Sequence, residues 1–302
     1  MFEAIFAGAE ANVAVAAAAL GHHVEFLSVL PANKVADTAL HHLNFWGVQT
    51  DRILRAGHRL GIYFFEYGFG QRGSEVIYDR EGSAISEAAP ESYDWPRLLE
   101  DIDWLHTSGI TAALSPKSAR ATADALATAR KLGIHTSLDL NYRSKLWTRE
   151  QARKTMEPML EGLDLFIANA GQVKELFGIE GETPAEVADK TRRKFGIKSV
   201  AFALRNTDEH ERHFRAAAWA DEKTVFTTDW FRCAILEPLG GGDAFAGALI
   251  ASLWEKHDPR YAIEFAVAAA CLKHTIPGDF AKSSREEIDT FLAKGVQVGV
   301  AR

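Results

Sequence analysis

The segment Leu239-Gly240-Gly241-Gly242-Asp243-Ala244-Phe245 sets three glycines directly before an acidic residue that opens an apolar run. Glycines let the backbone approach an anion closely, and a helix N-terminus adds unpaired N–H groups at the positive end of the helix dipole. A carboxylate at that point has two uses. It can cap the helix while the glycines form a tight turn. It can also take the proton of an attacking hydroxyl while neighbouring amides stabilise charge on a transferring phosphoryl group. No Gly-Lys-Ser/Thr follows, so this is not a Walker-type phosphate loop.

Two arginines are placed to read anions. Arg80 ends the run Glu75-Val-Ile-Tyr-Asp-Arg80, and Arg143 follows Ser137-Leu-Asp-Leu-Asn-Tyr. A planar guanidinium recognises carboxylate and phosphate through several hydrogen bonds. The bland alternatives are a solvated strand end for Arg80 and a loop charge for Arg143, although open α/β sheets hold ligands just after their strands. Tyr63 and Tyr78 read as cross-strand packing partners. His274, beside Lys273, has no visible partner and reads as a packing or nucleotide-edge residue. His22-His23 and His41-His42 lack ligand spacing and read as surface residues. Cys233 and Cys271 form neither a disulfide framework nor a zinc pattern, and Cys271 sits in an apolar run as a buried hydrophobe.

These side chains need a scaffold, and the pattern supplies one. Helical periodicity is expected over residues 11–20, 35–46, 115–132, 149–161, 184–195, 243–256 and 259–273, and strands over 24–29, 104–107, 135–139, 165–168, 199–204 and 216–219. Alternation of the two predicts a mostly parallel sheet covered by helices. The alanine run 14–19 reads as a helix packed tightly through small side chains. Residues 59–66 and 75–80 break the rhythm as an aromatic hairpin around the glycine-rich stretch 67–74, predicted to form a lid of about 59–80 on one domain spanning 1–302. The opening residues enter a helix almost at once, so the N-terminal strand is expected to be short or missing.

A chain of 302 residues suffices for one large α/β core or two smaller ones. Lys+Arg 34 against Asp+Glu 41, with no basic block, argues against a nucleic-acid surface. No apolar run is long enough for a membrane span, and no signal peptide is visible, so a cytoplasmic location is expected.

Four segments, in order along the chain, resemble the ribokinase-like sugar kinases: Ala7-Gly-Ala-Glu-Ala-Asn12, Ser137-Leu-Asp-Leu-Asn-Tyr-Arg143, Gly240-Gly-Gly-Asp-Ala-Phe-Ala-Gly247, and residues 265–280 ending Pro277-Gly-Asp-Phe280. The second and fourth are most similar to the 2-keto-3-deoxygluconate kinase branch. The resemblance implies a three-layer α/β/α fold with a small β-strand lid, and transfer of the ATP γ-phosphoryl group with Mg²⁺. It implies that Gly8 and Asn12 lie against sugar hydroxyls, that Tyr63, Tyr78 and Arg80 close over the substrate with Arg80 reaching a sugar acid, and that Asp279 is a further substrate contact. Arg143 would lie near substrate and transferred phosphate. Gly240, Gly241 and Gly242 would form an anion hole with Asp243 as base. Asn141, Asn169 and Arg205, the last in a loop after the strand ending at residue 204, would join Gly240 and Gly242 in holding ATP.

Three positions depart from the family pattern: Ala7 replaces a frequent glycine, Ala281 a frequent Asn, and Gln172 a carboxylate that helps organise Mg²⁺. The reading is a kinase for 2-keto-3-deoxygluconate. Alternatives are a kinase for fructose or 2-keto-3-deoxygalactonate, or a catalytically weak sugar-binding relative. A homo-oligomer, dimer or higher, is expected through the hairpin, whose exposed edge calls for a cover.

Overall fold

Helix starts are fixed by short polar side chains that periodicity alone does not locate. Asn33 Oδ1 accepts from Ala36 N at 3.0 Å, Ser115 Oγ from Ser118 N at 3.1 Å, and Thr148 forms a capping box with Gln151. Each satisfies amide donors that the first helical turn leaves unpaired. Pro116, Pro184 and Pro259 open their helices, where a missing N–H costs nothing.

The computed structural model describes residues 3–68, 71–208 and 213–294. Met1 and Phe2, and Phe69 and Gly70 of the stretch expected to turn the hairpin, therefore lie outside the described residues. In chain order come α1 (Ala9–Ala19), β1 (Val24–Glu25), β2 (Val29–Leu30), α2 (Lys34–Phe45), β3 (Val48–Gln49) and β4 (Leu54–Arg55). The hairpin β5 (Ile62–Glu66) and β6 (Glu75–Asp79) follows, then short helices α3 (Ala84–Glu87) and α4 (Trp95–Leu98). Next are β7 (Trp104–Ser108), α5 (Gly109–Ala113), α6 (Pro116–Lys131), β8 (His135–Asp139), α7 (Arg149–Leu160), β9 (Leu165–Ala168), α8 (Ala170–Phe177) and α9 (Pro184–Phe195). The chain continues with β10 (Ser199–Thr207), β11 (His213–Ala220), β12 (Val225–Thr227), β13 (Phe231–Cys233), α10 (Gly241–Trp254), α11 (Pro259–Lys273) and α12 (Arg285–Lys294).

The main sheet has seven strands in the order β12-β11-β10-β9-β8-β7, with β13 also on β11. Strands β7 to β10 are mutually parallel, and β11 turns antiparallel to β10 from Val200↔Ala220 to Thr207↔His213. Side-chain alternation builds the outer layers. Leu138, Phe166, Val200 and Phe202 pack with α6 to α9 on one face. Leu165, Ile167, Ala201 and Trp219 pack with α10 and α11 on the other. The result is the expected α/β/α sandwich.

Several predicted boundaries change. The strand expected over 24–29 divides into β1 and β2, which pair with β3 and β4 in separate parallel ladders. Strand β10 runs on to Thr207 because its hairpin with β11 continues to pair, so Arg205 lies inside a strand and not in a loop. Residues 3–8 enter α1 without forming a strand, and a cavity of about 1250 Å³ lies between the β7 edge and the β1 segment, lined by Leu27, Trp104 and His106 among others. His42 is not a free surface residue: its ring stacks on Phe280 at 5.3 Å.

Helix α1 packs directly on α10, and the contact admits no larger side chain at Gly247. A Cβ there would fall 2.7 Å from Ala16 Cβ and 2.8 Å from Val13 O. The alanine run thus works as expected, with Ala11, Ala14, Ala16 and Val15 all buried. This close approach brings the start of α1 beside the start of α10.

Candidate active site

Asn12, on the first turns of α1, donates from Nδ2 to Asp243 Oδ2 at 2.6 Å, while its own Oδ1 accepts Gly8 N at 3.3 Å. Asp243 sits in the first turn of α10, whose cap residue Gly240 has φ 74. A Cβ at Gly240 would fall 2.0 Å from Asp279 O, so both the backbone angle and the space require glycine. A Cβ at Gly241 would fall 2.4 Å from His274 Nε2, whereas one at Gly242 would meet nothing within 4 Å. The three glycines therefore present first-turn amides beside a carboxylate, a geometry suited to an anion.

Burial pushes the Asp243 carboxyl up to about 7, and the nearby Asp139 and Asp279 carboxylates push the same way. The Asn12 bond and the Arg143 charge oppose them without cancelling the burial effect. Asp139, at the end of β8, is also pushed up to about 7, first by burial and then by Glu10, against the Asn141 amide and Arg143. Two carboxyls held near neutrality by burial, Asp139 at the carboxyl end of the parallel strand β8 and Asp243 in the first turn of α10, make this the candidate chemical centre.

The hairpin closes over that centre. Tyr63 and Tyr78 are direct cross-strand partners with rings 6.5 Å apart, so the packing role expected of them is real. Tyr63 OH also donates to Asp279 Oδ2 at 3.0 Å, and the Arg80 guanidinium lies 4.6 Å from the Tyr78 ring centroid. Arg80 forms no ion pair among the described residues, and burial lowers its pKa. Gly8, Asn12, Tyr63, Tyr78, Arg80, Asp243 and Asp279 are thus gathered on one side of the cleft.

The other side is looser. Asn141, at φ 37, donates its amide to Asp139 Oδ1 at 2.9 Å. Asn169 caps α8 by accepting Gln172 N at 2.8 Å, a structural use of its carbonyl oxygen. Gln172 Nε2 donates to Tyr142 O at 3.2 Å, so this side chain braces the loop before Arg143. Arg143 is exposed within charge range of Asp139 and Asp243, whereas Arg205 is exposed three residues beyond the β9 pairing. No cluster of three or more His, Cys, Asp or Glu able to hold a metal occurs among the described residues. Mg²⁺ needs no such cage, since it keeps most of its waters and binds through substrate phosphates.

Sequence reasoning assigned no role to Asp139 or Glu10. Glu10 Oε1 accepts from Ser108 N, Ser108 Oγ and Thr111 Oγ1 at 2.9, 2.8 and 2.7 Å, fixing α1 to the end of β7. The signal for Asp139 was present as a carboxylate ending a strand. Nothing in the local sequence marked Glu10, whose partners lie about a hundred positions away.

A model of the pfkB family carbohydrate kinases matches residues 1–284. The 2-dehydro-3-deoxygalactonokinase of Haloferax volcanii is 33% identical over 98% of this chain and 90% of its own length. The 2-dehydro-3-deoxygluconokinase of Thermoproteus tenax is 29% identical over 92% of this chain and 82% of its own. The crystal structure of the 2-dehydro-3-deoxygluconokinase of Thermotoga maritima superposes with a TM-score of 0.91 at 41% identity, covering 95% of this chain and 89% of that one.

A carboxyl that holds its proton to about pH 7 when folded, against 3.8 when unfolded, contributes stability that is fully present below pH 4 and lost as pH rises through 7. Asp243→Asn removes that loss while an amide oxygen still accepts from Asn12. Thermal melts should show the variant more stable than wild type at pH 8, by on the order of 2–4 kcal/mol, with the gap closing toward pH 4. Equal melting points at pH 8 would show that Asp243 is not held protonated by burial.

Proposed function

The chain belongs to the pfkB family of carbohydrate kinases, and we propose that this ATP-dependent enzyme phosphorylates a 2-keto-3-deoxy sugar acid, 2-keto-3-deoxygluconate, at its primary hydroxyl. The product is 2-keto-3-deoxy-6-phosphogluconate. The observation that carries the choice of an acid is Arg80: a half-buried guanidinium without an ion pair among the described residues, facing the cleft beneath two tyrosines. A neutral sugar offers such a group no charge partner, whereas a carboxylate does. The names of the relatives favour the same substrate class, and the Haloferax relative favours 2-keto-3-deoxygalactonate as the second reading.

In this mechanism Gly8 and Asn12 hold sugar hydroxyls, and Asp279 with Tyr63 positions the acceptor. Asp243 takes the proton of the primary hydroxyl as its oxygen bonds to the γ-phosphorus and the bond to the β,γ-bridging oxygen breaks, leaving ADP. The amides of Gly240, Gly241 and Gly242, with Arg143, stabilise charge on the transferring group. Asn141, Asn169 and Arg205 line the nucleotide side. Mg²⁺ would neutralise phosphate charge, carried chiefly on the phosphates and water because Gln172 brings no carboxylate. Residues 59–80 act as the lid of one kinase domain, excluding water from the transfer.

The base assignment predicts that Asp243→Asn lowers kcat by several orders of magnitude while nucleotide still binds, measured by coupled ADP release and by titration calorimetry. Near-normal kcat would remove Asp243 as the base.

The outer hairpin face exposes Ile62 at 46% and Ile77 at 59%. A second copy covering this face would give a dimer through the lid. Light scattering at micromolar concentration should report twice the chain mass, and an active monomer would refute it.

The substrate assignment predicts that Arg80→Ala raises KM for the keto acid roughly 10- to 150-fold, the worth of one charge-assisted hydrogen bond, and leaves KM for ATP nearly unchanged. An analogue with the carboxylate reduced to an alcohol should be a poor substrate and almost indifferent to the substitution. If the neutral analogue is phosphorylated as well as the acid, a fructose-type acceptor replaces the sugar acid.

A further inference from the structure

Lys273, the last residue of α11, is fully buried at 0% exposure, which is rare for a lysine unless its charge is used. Its stem runs behind the anion hole: a Cβ at Gly240 would lie 3.0 Å from Lys273 Cε. The ammonium donates to Ile276 O at 3.0 Å and lies within charge range of Glu237, Asp279 and Asp243. Glu237 is itself only 2% exposed and accepts from Leu239 N at 3.0 Å, Gly278 N at 3.3 Å and Tyr67 OH at 2.5 Å. The amides of Leu236 and Glu237 in turn donate to His274 O at 2.8 and 2.9 Å. The end of α11, the strand-to-hole segment 236–240 and the Gly278-Asp279 turn thus form one packed knot around the Lys273 ammonium, with Arg215 Nη2 3.3 Å from His274 Nε2 at its flank.

We propose that Lys273 is a positioning residue for phosphoryl transfer, its ammonium offsetting the Glu237, Asp279 and Asp243 carboxylates behind Gly240 so that the hole accepts an anion. The proposal rests on the reading of Asp243 as base and of the glycine amides as the anion hole. Three acidic side chains converging at the site of an incoming polyanion would repel it, and Arg143 and Arg80 face them only from the cleft. A cation placed behind the backbone acts on the hole without occupying the space of sugar or nucleotide. Its pull favours the carboxylate form of Asp243, opposing burial, Asp139 and Asp279, alongside Arg143 and the Asn12 bond. Lys282 also faces the ammonium and opposes its charge.

The test is Lys273→Met, which keeps the stem and removes the charge, compared with Lys273→Met/Glu237→Gln, in which the buried carboxylate is neutralised too. Expected are a kcat about 10- to 100-fold lower, as for loss of one anion-hole contribution, and an acidic limb of the kcat/KM profile displaced upward by about half a pH unit or more. The double variant should recover thermal stability without recovering kcat. Recovery of kcat together with stability, or an unmoved pH limb with kcat within about threefold of wild type, would reduce Lys273 to a structural counter-charge and overturn the proposal. Nitrogen NMR of lysine-labelled wild-type protein tests it even where neither variant folds, since a neutral Lys273 side chain at the pH of activity also overturns it. Asp243→Asn, assayed in parallel, separates the two claims: if it stays active the base reading fails, whereas an inactive Asp243→Asn beside an unaffected Lys273→Met defeats only the role of Lys273.

Discussion

The contact between α1 and α10 is the constraint on which the site depends. Gly247 lets the backbone at Val13 come closer than any side chain would allow, and the alanines of α1 fill the remaining space. Only at that separation does Asn12 reach Asp243 at 2.6 Å. A helix with alanines on every side has almost no amphipathic stripe to orient it. Its orientation comes instead from close packing and from polar anchors at its N-terminal end, Asn12 to α10 and Glu10 to the end of β7. Small side chains bring α1 close, and the two polar bonds set its rotation.

The same end of the fold concentrates negative charge. Asp139, Asp243, Asp279, Glu10 and Glu237 all approach the cleft, and burial raises the first three. Against them stand Arg80, Arg143 and Lys273, each on a different element. A site with this balance holds carboxyls near the pH at which they exchange protons, which suits a base that must both take and release one. It also explains why an acidic chain can handle anionic substrates: local convergence of a few cations decides the field, not the net charge of -7.

The hairpin combines a packing role with a polar one. Alternation along β5 turns Tyr63 and Phe65 inward while Ile62 faces solvent, and Tyr67, just past the strand, is 54% exposed. Tyr63 and Tyr67 reach Asp279 and Glu237, two carboxylates carried by segments far along the chain. The Arg59–Asp79 pair at 2.7 Å and Lys145 Nζ on Val76 O at 2.7 Å hold its base and flank. The ring packing suggested by sequence and the polar role implied by resemblance are therefore not rivals. A tyrosine ring packs across the strands while its hydroxyl remains available to the site.

By itself the sequence determined the layer architecture and the hairpin, which follow from periodicities of 3.6 and 2. Gly-Gly-Gly-Asp before an apolar helix left Asp243 as cap or base, and the role of base came only with the family resemblance. The sequence also left open the end of β10, where continued pairing with β11 carries Arg205 into a strand, because pairing partners are set by contacts distant in sequence. Tertiary structure alone decided that Asn12 and Asp243 are bonded across 231 positions, that Asn169 and Gln172 brace backbone, and that Glu10 ties α1 to β7. It also set the upward push on the Asp139 and Asp243 carboxyls. Burial and neighbouring charge are properties of three-dimensional surroundings, and no spacing along the chain encodes how much water a carboxylate keeps.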